Sequence, residues 1–115
     1  MAEFIQILKA LSDETRLQIL KLLLNHDYCV RALARRLDIS ESAVSQHLKV
    51  LRHAGVVKGE KRGYFTHYWV DKELLKDTAQ KIIQLCDDAV SSDERCNKTT
   101  STNHLCCRKE KNKNV

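Results

Sequence analysis

Through the first half of the chain apolar residues recur every three or four positions. Beyond Gly55 the period drops to two, and after Asp71 the helical spacing returns. That succession predicts four helices, a β-hairpin and a last helix. Met1 to Leu11 reads as the first helix, with Phe4, Ile7, Leu8 and Leu11 on one face. Ser12-Asp13 breaks it and can cap a second helix, Glu14 to Asn25. There Leu17, Leu20 and Leu24 form a stripe that Ile19, Leu22 and Leu23 broaden, so this helix is expected to be largely buried. His26-Asp27-Tyr28 reads as a polar loop. Val30 to Leu37 makes a short third helix, with Leu33, Ala34 and Leu37 inward and Arg31, Arg35 and Arg36 outward.

The turn Asp38-Ile39-Ser40 leads into the stretch on which the rest depends, Ser40 to Gly55. Ser40 is a good N-cap, and Gly55 is a good helix stop in the left-handed conformation. Val44, Leu48 and Leu51 stand at i, i+4 and i+7, which makes one apolar face. Ser42, Ser45, Gln46, His47 and Lys49 lie off that face. They are residues that can reach base edges and phosphates. Helix, tight turn and helix with a polar outer face is the helix-turn-helix plan. Arg36, next to it, is a candidate phosphate contact.

Val56 to Glu60 and Tyr64 to Val70 read as two strands, with Lys61-Arg62-Gly63 at the hairpin tip. Tyr64, Thr66, Tyr68 and Val70 share one face, and Phe65, His67 and Trp69 the other. Phe65 and Trp69 are expected to pack on the helices. A basic tip after a recognition helix is a wing, and Lys61 and Arg62 are its candidate DNA contacts. Asp71 caps a last helix, Lys72 to about Ser91. Leu75, Ala79, Ile82, Cys86 and Ala89 form a narrow seam along it, expected to be a homodimer interface to which the first helix contributes.

Composition narrows the class. At 115 residues with 43% hydrophobic content, the chain makes one modest core, of the kind that dimerisation often supports. Absent proline and three glycines favour uninterrupted helices. The net charge of +5 suits double-stranded DNA as partner. No apolar run could span a bilayer, so the expected location is cytoplasmic with no membrane partner. In that compartment the five cysteines are expected as thiols or metal ligands.

From Ser92 the chain turns polar and charged, which divides it into a folded domain, residues 1–91, and a flexible tail, residues 92–115. The tail nevertheless holds Cys96, Cys106 and Cys107, with His104 beside them. Three thiolates can cap a trigonal As(III) or Sb(III) centre. Zinc on Cys96, His104, Cys106 and Cys107 is an alternative, although the usual C-x-x-C pairs are missing.

Two stretches carry a family resemblance. Leu8 to Leu17, LKALSDETRL, resembles the opening motif of the ArsR/SmtB repressors. Ser42 to Leu51, SAVSQHLKVL, is similar to their recognition helix, and Gly55-Val56-Val57 with the hairpin continues the match to Val70. The resemblance covers about residues 4–90. It implies a dimeric winged-helix repressor, mainly α with a β-hairpin wing in the order α-α-α-α-β-β-α, paired through its first and last helices. It implies release from the operator on binding As(III), Sb(III), Cd(II), Zn(II) or Pb(II), or on oxidation in some members. Asp38 stands where the family often has glycine, and aspartate tolerates the left-handed region.

The family's sensor sites transfer unevenly. Asp27 to Leu33 matches the segment that carries two cysteines in the arsenic and cadmium sensors. Cys29 falls on the first, and Arg31 replaces the second. No histidine occurs between His67 and His104, so the last-helix zinc site is absent. Cys86 matches the last-helix thiol of the redox sensors, but Lys21 stands near the place of its partner. Some members bind arsenite through C-terminal thiols, as this tail could. The resulting expectation is an operator-binding repressor with no required cofactor, released by As(III) or Sb(III) on Cys96, Cys106 and Cys107. Cys29, Cys86 and His104 stand behind these as ligands. A redox-sensing repressor is the alternative. A small thiol enzyme would want a C-x-x-C on a βαβ scaffold, or a cysteine with a positioned histidine and acid, and neither is visible.

Overall fold

The computed structural model describes residues 2–98, with side chains through residue 88. In chain order the elements are α1 (Ala2–Leu11), α2 (Glu14–Asn25), β1 (Tyr28–Cys29), α3 (Val30–Leu37), α4 (Glu41–His53), β2 (Val57–Arg62), β3 (Phe65–Val70) and α5 (Lys72–Lys98). This is the expected winged helix-turn-helix with one added strand. The chain divides into two compact units between Thr78 and Ala79, so the second unit begins within α5.

The core of the first unit is built from one face of each helix and the inner face of the sheet. Ile19, Leu33, Val44, Leu48, Leu51 and Val56 are its largest fully enclosed side chains. The three apolar residues of the recognition stripe are all among them, so α4 is fixed in rotation about its axis. The buried hydroxyl of Thr78 donates to the Leu74 carbonyl at 2.8 Å, which removes the cost of its burial.

The second helix departs from expectation. Its buried residues are Ile19, Leu20 and Leu23, while Leu17 and Leu24 are 45% and 37% exposed. At 100° per residue, Leu17 and Leu24 lie about a quarter turn from the centre of the buried stripe. Six aliphatic residues surround α2 on several sides, and the periodicity alone did not select the inward ones.

The sheet has the order β1-β3-β2, all antiparallel. The loop expected at Tyr28 is instead the short strand β1, with Tyr28 opposite Tyr68 and Cys29 opposite His67. Two residues are too few to display a period of two. Arg62 pairs with Phe65, so the hairpin turn is Gly63-Tyr64, and Lys61 and Arg62 lie within β2. Gly63 has φ 65, a positive angle at the first central position of a two-residue hairpin loop. Phe65, expected against the helices, is exposed near the tip, whereas Trp69 is half-buried.

Asp71 caps α5 as anticipated, its Oδ1 accepting the Leu74 N–H at 3.2 Å. The helix continues to Lys98, past the end expected near Ser91. Among the described residues no helix is long and apolar enough to cross a membrane.

Candidate nucleic-acid interface

The turn between α3 and α4 holds the two helices at a defined angle. Asp38 adopts the left-handed conformation, φ 57 and ψ 47, in the place that most often falls to glycine. Ile39 N–H then donates back to the Ala34 carbonyl at 3.2 Å. Ser40 Oγ accepts the Ala43 N–H at 3.0 Å and starts α4. Gly55, with φ 83, ends the segment.

With Val44, Leu48 and Leu51 turned inward, Ser42, Ser45, Gln46 and Lys49 are exposed on the outer face of α4. His47 differs from them. It is half-buried, with Nδ1 3.3 Å from Nη1 of Arg16 and 3.9 Å from Oδ2 of Asp13. The Asp13 carboxyl is held below the usual carboxylate range, chiefly by the Arg16 backbone N–H, with the Arg16 charge adding to the effect against desolvation.

A second stripe on α4 runs beside the first. Ser45, Lys49 and Arg52 stand at i, i+4 and i+7 and line a groove with His53 and Tyr68. The Arg52 guanidinium lies over the Tyr68 ring, 5.7 Å from its centroid. Sequence reasoning missed Arg52, although its spacing from Lys49 was there to find. It also missed Arg16, whose contact with α4 spans 31 residues and leaves no local signal.

The two wing cations point differently. Strand alternation puts Lys61 on the face of Tyr68, which looks onto α4, and Arg62 on the opposite face. There Arg62 Nη2 is 3.1 Å from Oδ2 of Asp27 and 3.3 Å from Oε1 of Glu60. Arg36 remains exposed, its guanidinium 5.2 Å from the Tyr28 ring centroid.

A model of the bacterial regulatory proteins of the arsR family matches residues 13–58. A helix-turn-helix transcriptional regulator of Methanocaldococcus jannaschii is 38% identical over 84 residues, which cover 72% of this chain and 90% of that protein. The chain belongs to the ArsR family. The arsenical resistance operon repressor of Escherichia coli is 43% identical over 65 residues, 56% of either chain. An ArsR-like transcriptional regulator from Rhodococcus sp. RHA1 superposes with a TM-score of 0.78 at 30% identity, covering 87% of this chain and 94% of that one. The chain is thus a winged-helix transcriptional regulator and not an enzyme.

The two expected sensor cysteines whose side chains are described, Cys29 and Cys86, stand on different elements of this ArsR-family chain. Among the described residues Cys29 and Cys86 are free thiols, Cys29 half-buried at the start of α3 and Cys86 exposed on α5. Among those residues no three His, Cys, Asp or Glu side chains gather as metal ligands would. Cys96 falls within α5, but its side chain lies outside the described residues, as do His104, Cys106 and Cys107. Of the seam residues, Leu75 packs against the core of the first unit. Ala79, Ile82 and Cys86 are exposed on α5, and Ile83 and Leu85 are exposed beside them.

Proposed function

We propose that this ArsR-family chain is a homodimeric operator-binding repressor, released by a thiophilic inducer. The observation that carries the DNA reading is the outer face of α4, where Ser42, Ser45, Gln46 and Lys49 stand free above an apolar face locked in the core. Two such helices enter the major groove at successive half-sites, with Arg36 and Lys61 on flanking phosphates. His47 lies at the margin of that surface, whereas Arg62 stands on the opposite face of the wing, against Asp27 and Glu60. The dimer forms along α5. Ile82 and Ile83, 44% and 51% exposed, are apolar surface that a second α5 would cover.

The inducer is As(III) or Sb(III), bound by Cys96, Cys106 and Cys107 of the C-terminal segment, residues 92–115. Three considerations support it. Thiolates select soft ions; the described residues offer no competing ligand set; and a relative is named for arsenical resistance. Cd(II), Zn(II) and Pb(II) are the other ions of this class. Operator binding titrated against As(III), Sb(III), Cd(II), Zn(II), Pb(II) and peroxide tests the proposal. Release by As(III) or Sb(III) at the lowest concentration is expected. Release by peroxide alone would make the protein a redox sensor; among the described residues Cys86 is the exposed thiol.

A further inference from the structure

Arg16 lies in the first turn of α2 and ties three helices together. Its Nε donates to the Ala10 carbonyl at 2.6 Å, and its Nη2 to the Lys9 carbonyl at 3.4 Å, both in the last turn of α1. Its Nη1 reaches across to Nδ1 of His47 on α4 at 3.3 Å. A guanidinium has donors only and keeps its proton in a protein. The contact is therefore a hydrogen bond only when Nδ1 carries the lone pair. The His47 ring is then neutral, with its proton on Nε2. Asp13 Oδ2 approaches the same Nδ1 only to 3.9 Å, too far to hold a proton there by a hydrogen bond. The other ring nitrogen, Nε2, has no hydrogen-bond partner among the described residues and is not buried.

We propose that Arg16 sets the tautomer of His47, so that the recognition helix offers DNA a fixed N–H donor at Nε2. The DNA half of this inference rests on the proposed entry of α4 into the major groove. A fixed donor selects a hydrogen-bond acceptor: N7 of a purine, O6 of guanine, O4 of thymine, or a phosphate oxygen. It rejects the amino groups of adenine and cytosine. A ring with a free choice of tautomer could meet either kind of group and would discriminate less. Arg16 is a positioning residue here. It touches no base, yet it decides which polarity His47 presents. Because its other two bonds end on α1, the position of α1 enters the same linkage.

The tautomer can be read without DNA. Nitrogen-15-labelled full-length protein at about pH 8, above the ordinary imidazole pKa, gives a long-range nitrogen–proton correlation that distinguishes the two neutral forms. The Nε2–H pattern is expected for His47, and an Nδ1–H pattern overturns the proposal whatever the DNA result. Arg16→Lys keeps the charge but cannot reach all three acceptors at once. It is expected to give a mixed pattern, and an unchanged pattern in a folded Arg16→Lys protein also overturns it. Should that variant fail to fold, the wild-type spectrum still decides.

Operator binding tests the rest. Glutamine can place an amide N–H near the position of Nε2, and asparagine near that of Nδ1. His47→Gln should therefore retain about tenfold more operator affinity than His47→Asn. Equal losses in both variants overturn the donor role. Substitution of single purines by 7-deazapurine, or of single phosphates by methylphosphonate, then identifies the acceptor. One such change should weaken wild-type binding and leave His47→Ala unaffected. If none does, the DNA half is overturned. If the wild type binds no operator at all, the proposed function fails while the spectrum still judges the tautomer.

Discussion

The Tyr68 ring occupies the space that a side chain on Gly59 would need: a Cβ at that position would stand 2.8 Å from Cε1 of Tyr68. The neighbouring strand lacks a side chain there, so the ring can lie across it and support the Arg52 guanidinium from below. Gly59→Ala should displace the ring, which packs against the core cluster beside α4. A loss of roughly 1–3 kcal/mol in stability is expected, typical of overpacking. Operator affinity should fall further than the lost stability explains, because Arg52 loses its support. Denaturant unfolding and operator titration of the same preparation check both.

The two wing cations should separate in a mutational test. Lys61→Ala should weaken binding to every sequence alike, since phosphate contacts carry no base information. Arg62→Ala should have a smaller effect on DNA binding, because its charge is shared between Asp27 and Glu60. Gln46→Ala should reduce discrimination between operator and unrelated DNA by about 1–3 kcal/mol. Equal losses for Lys61→Ala and Arg62→Ala would contradict the opposed faces of β2.

Assembly is tested at Ile82. Ile82→Asp places a charge on the exposed apolar face of α5 and should give monomers in sedimentation. Those monomers should lose operator affinity, since one winged helix reaches a single half-site. A wild-type chain that is monomeric at micromolar concentration would refute the seam.

Acid should expose the role of Asp13. Its folded pKa is lowered, so it adds stability above its unfolded pKa, and that stability is lost as pH falls through the folded value. The melting temperatures of wild type and Asp13→Asn should therefore differ most near neutrality. They should converge in acid, below the usual carboxylate range. A gap that stays constant over that range would assign the difference to something other than the carboxylate.

Cys106→Ser combined with Cys107→Ser should bind operator normally and cease to respond to As(III). A coupling of ~3 kcal/mol between inducer and DNA corresponds to roughly 150-fold weaker binding, which is the response that should vanish. Truncation after Ser92 should behave alike. A truncated protein that still leaves DNA at the wild-type arsenite concentration would move the sensor to Cys29 or Cys86.

Where sequence and structure agree, the residues had a strong local signature. The stripe Val44, Leu48, Leu51, the Ser40 cap, the left-handed Asp38 and the Gly55 stop all act within a few positions of themselves. Disagreement arises where tertiary partners choose among equals. Leu17 and Leu20 are the same residue type on the same helix, and only the placement of the other helices buries one of them. Tyr28 becomes a strand because β3 offers it a partner far along the chain. On α4, the exposure of Ser42, Ser45, Gln46 and Lys49 was legible from their spacing. The commitment of Arg62 to Asp27, and of Arg16 to His47, joins segments that no local pattern connects.

The pairing of Arg62 also changes how the protein should feel salt. Binding to DNA gains much of its free energy by releasing counterions that phosphates had condensed, and each newly neutralised phosphate steepens the dependence on salt. A guanidinium that already faces two carboxylates takes the place of few such ions. The logarithmic salt dependence of operator binding should be shallower than the number of cations along the wing and recognition helix implies. In Asp27→Asn, which leaves Arg62 less occupied, it should steepen.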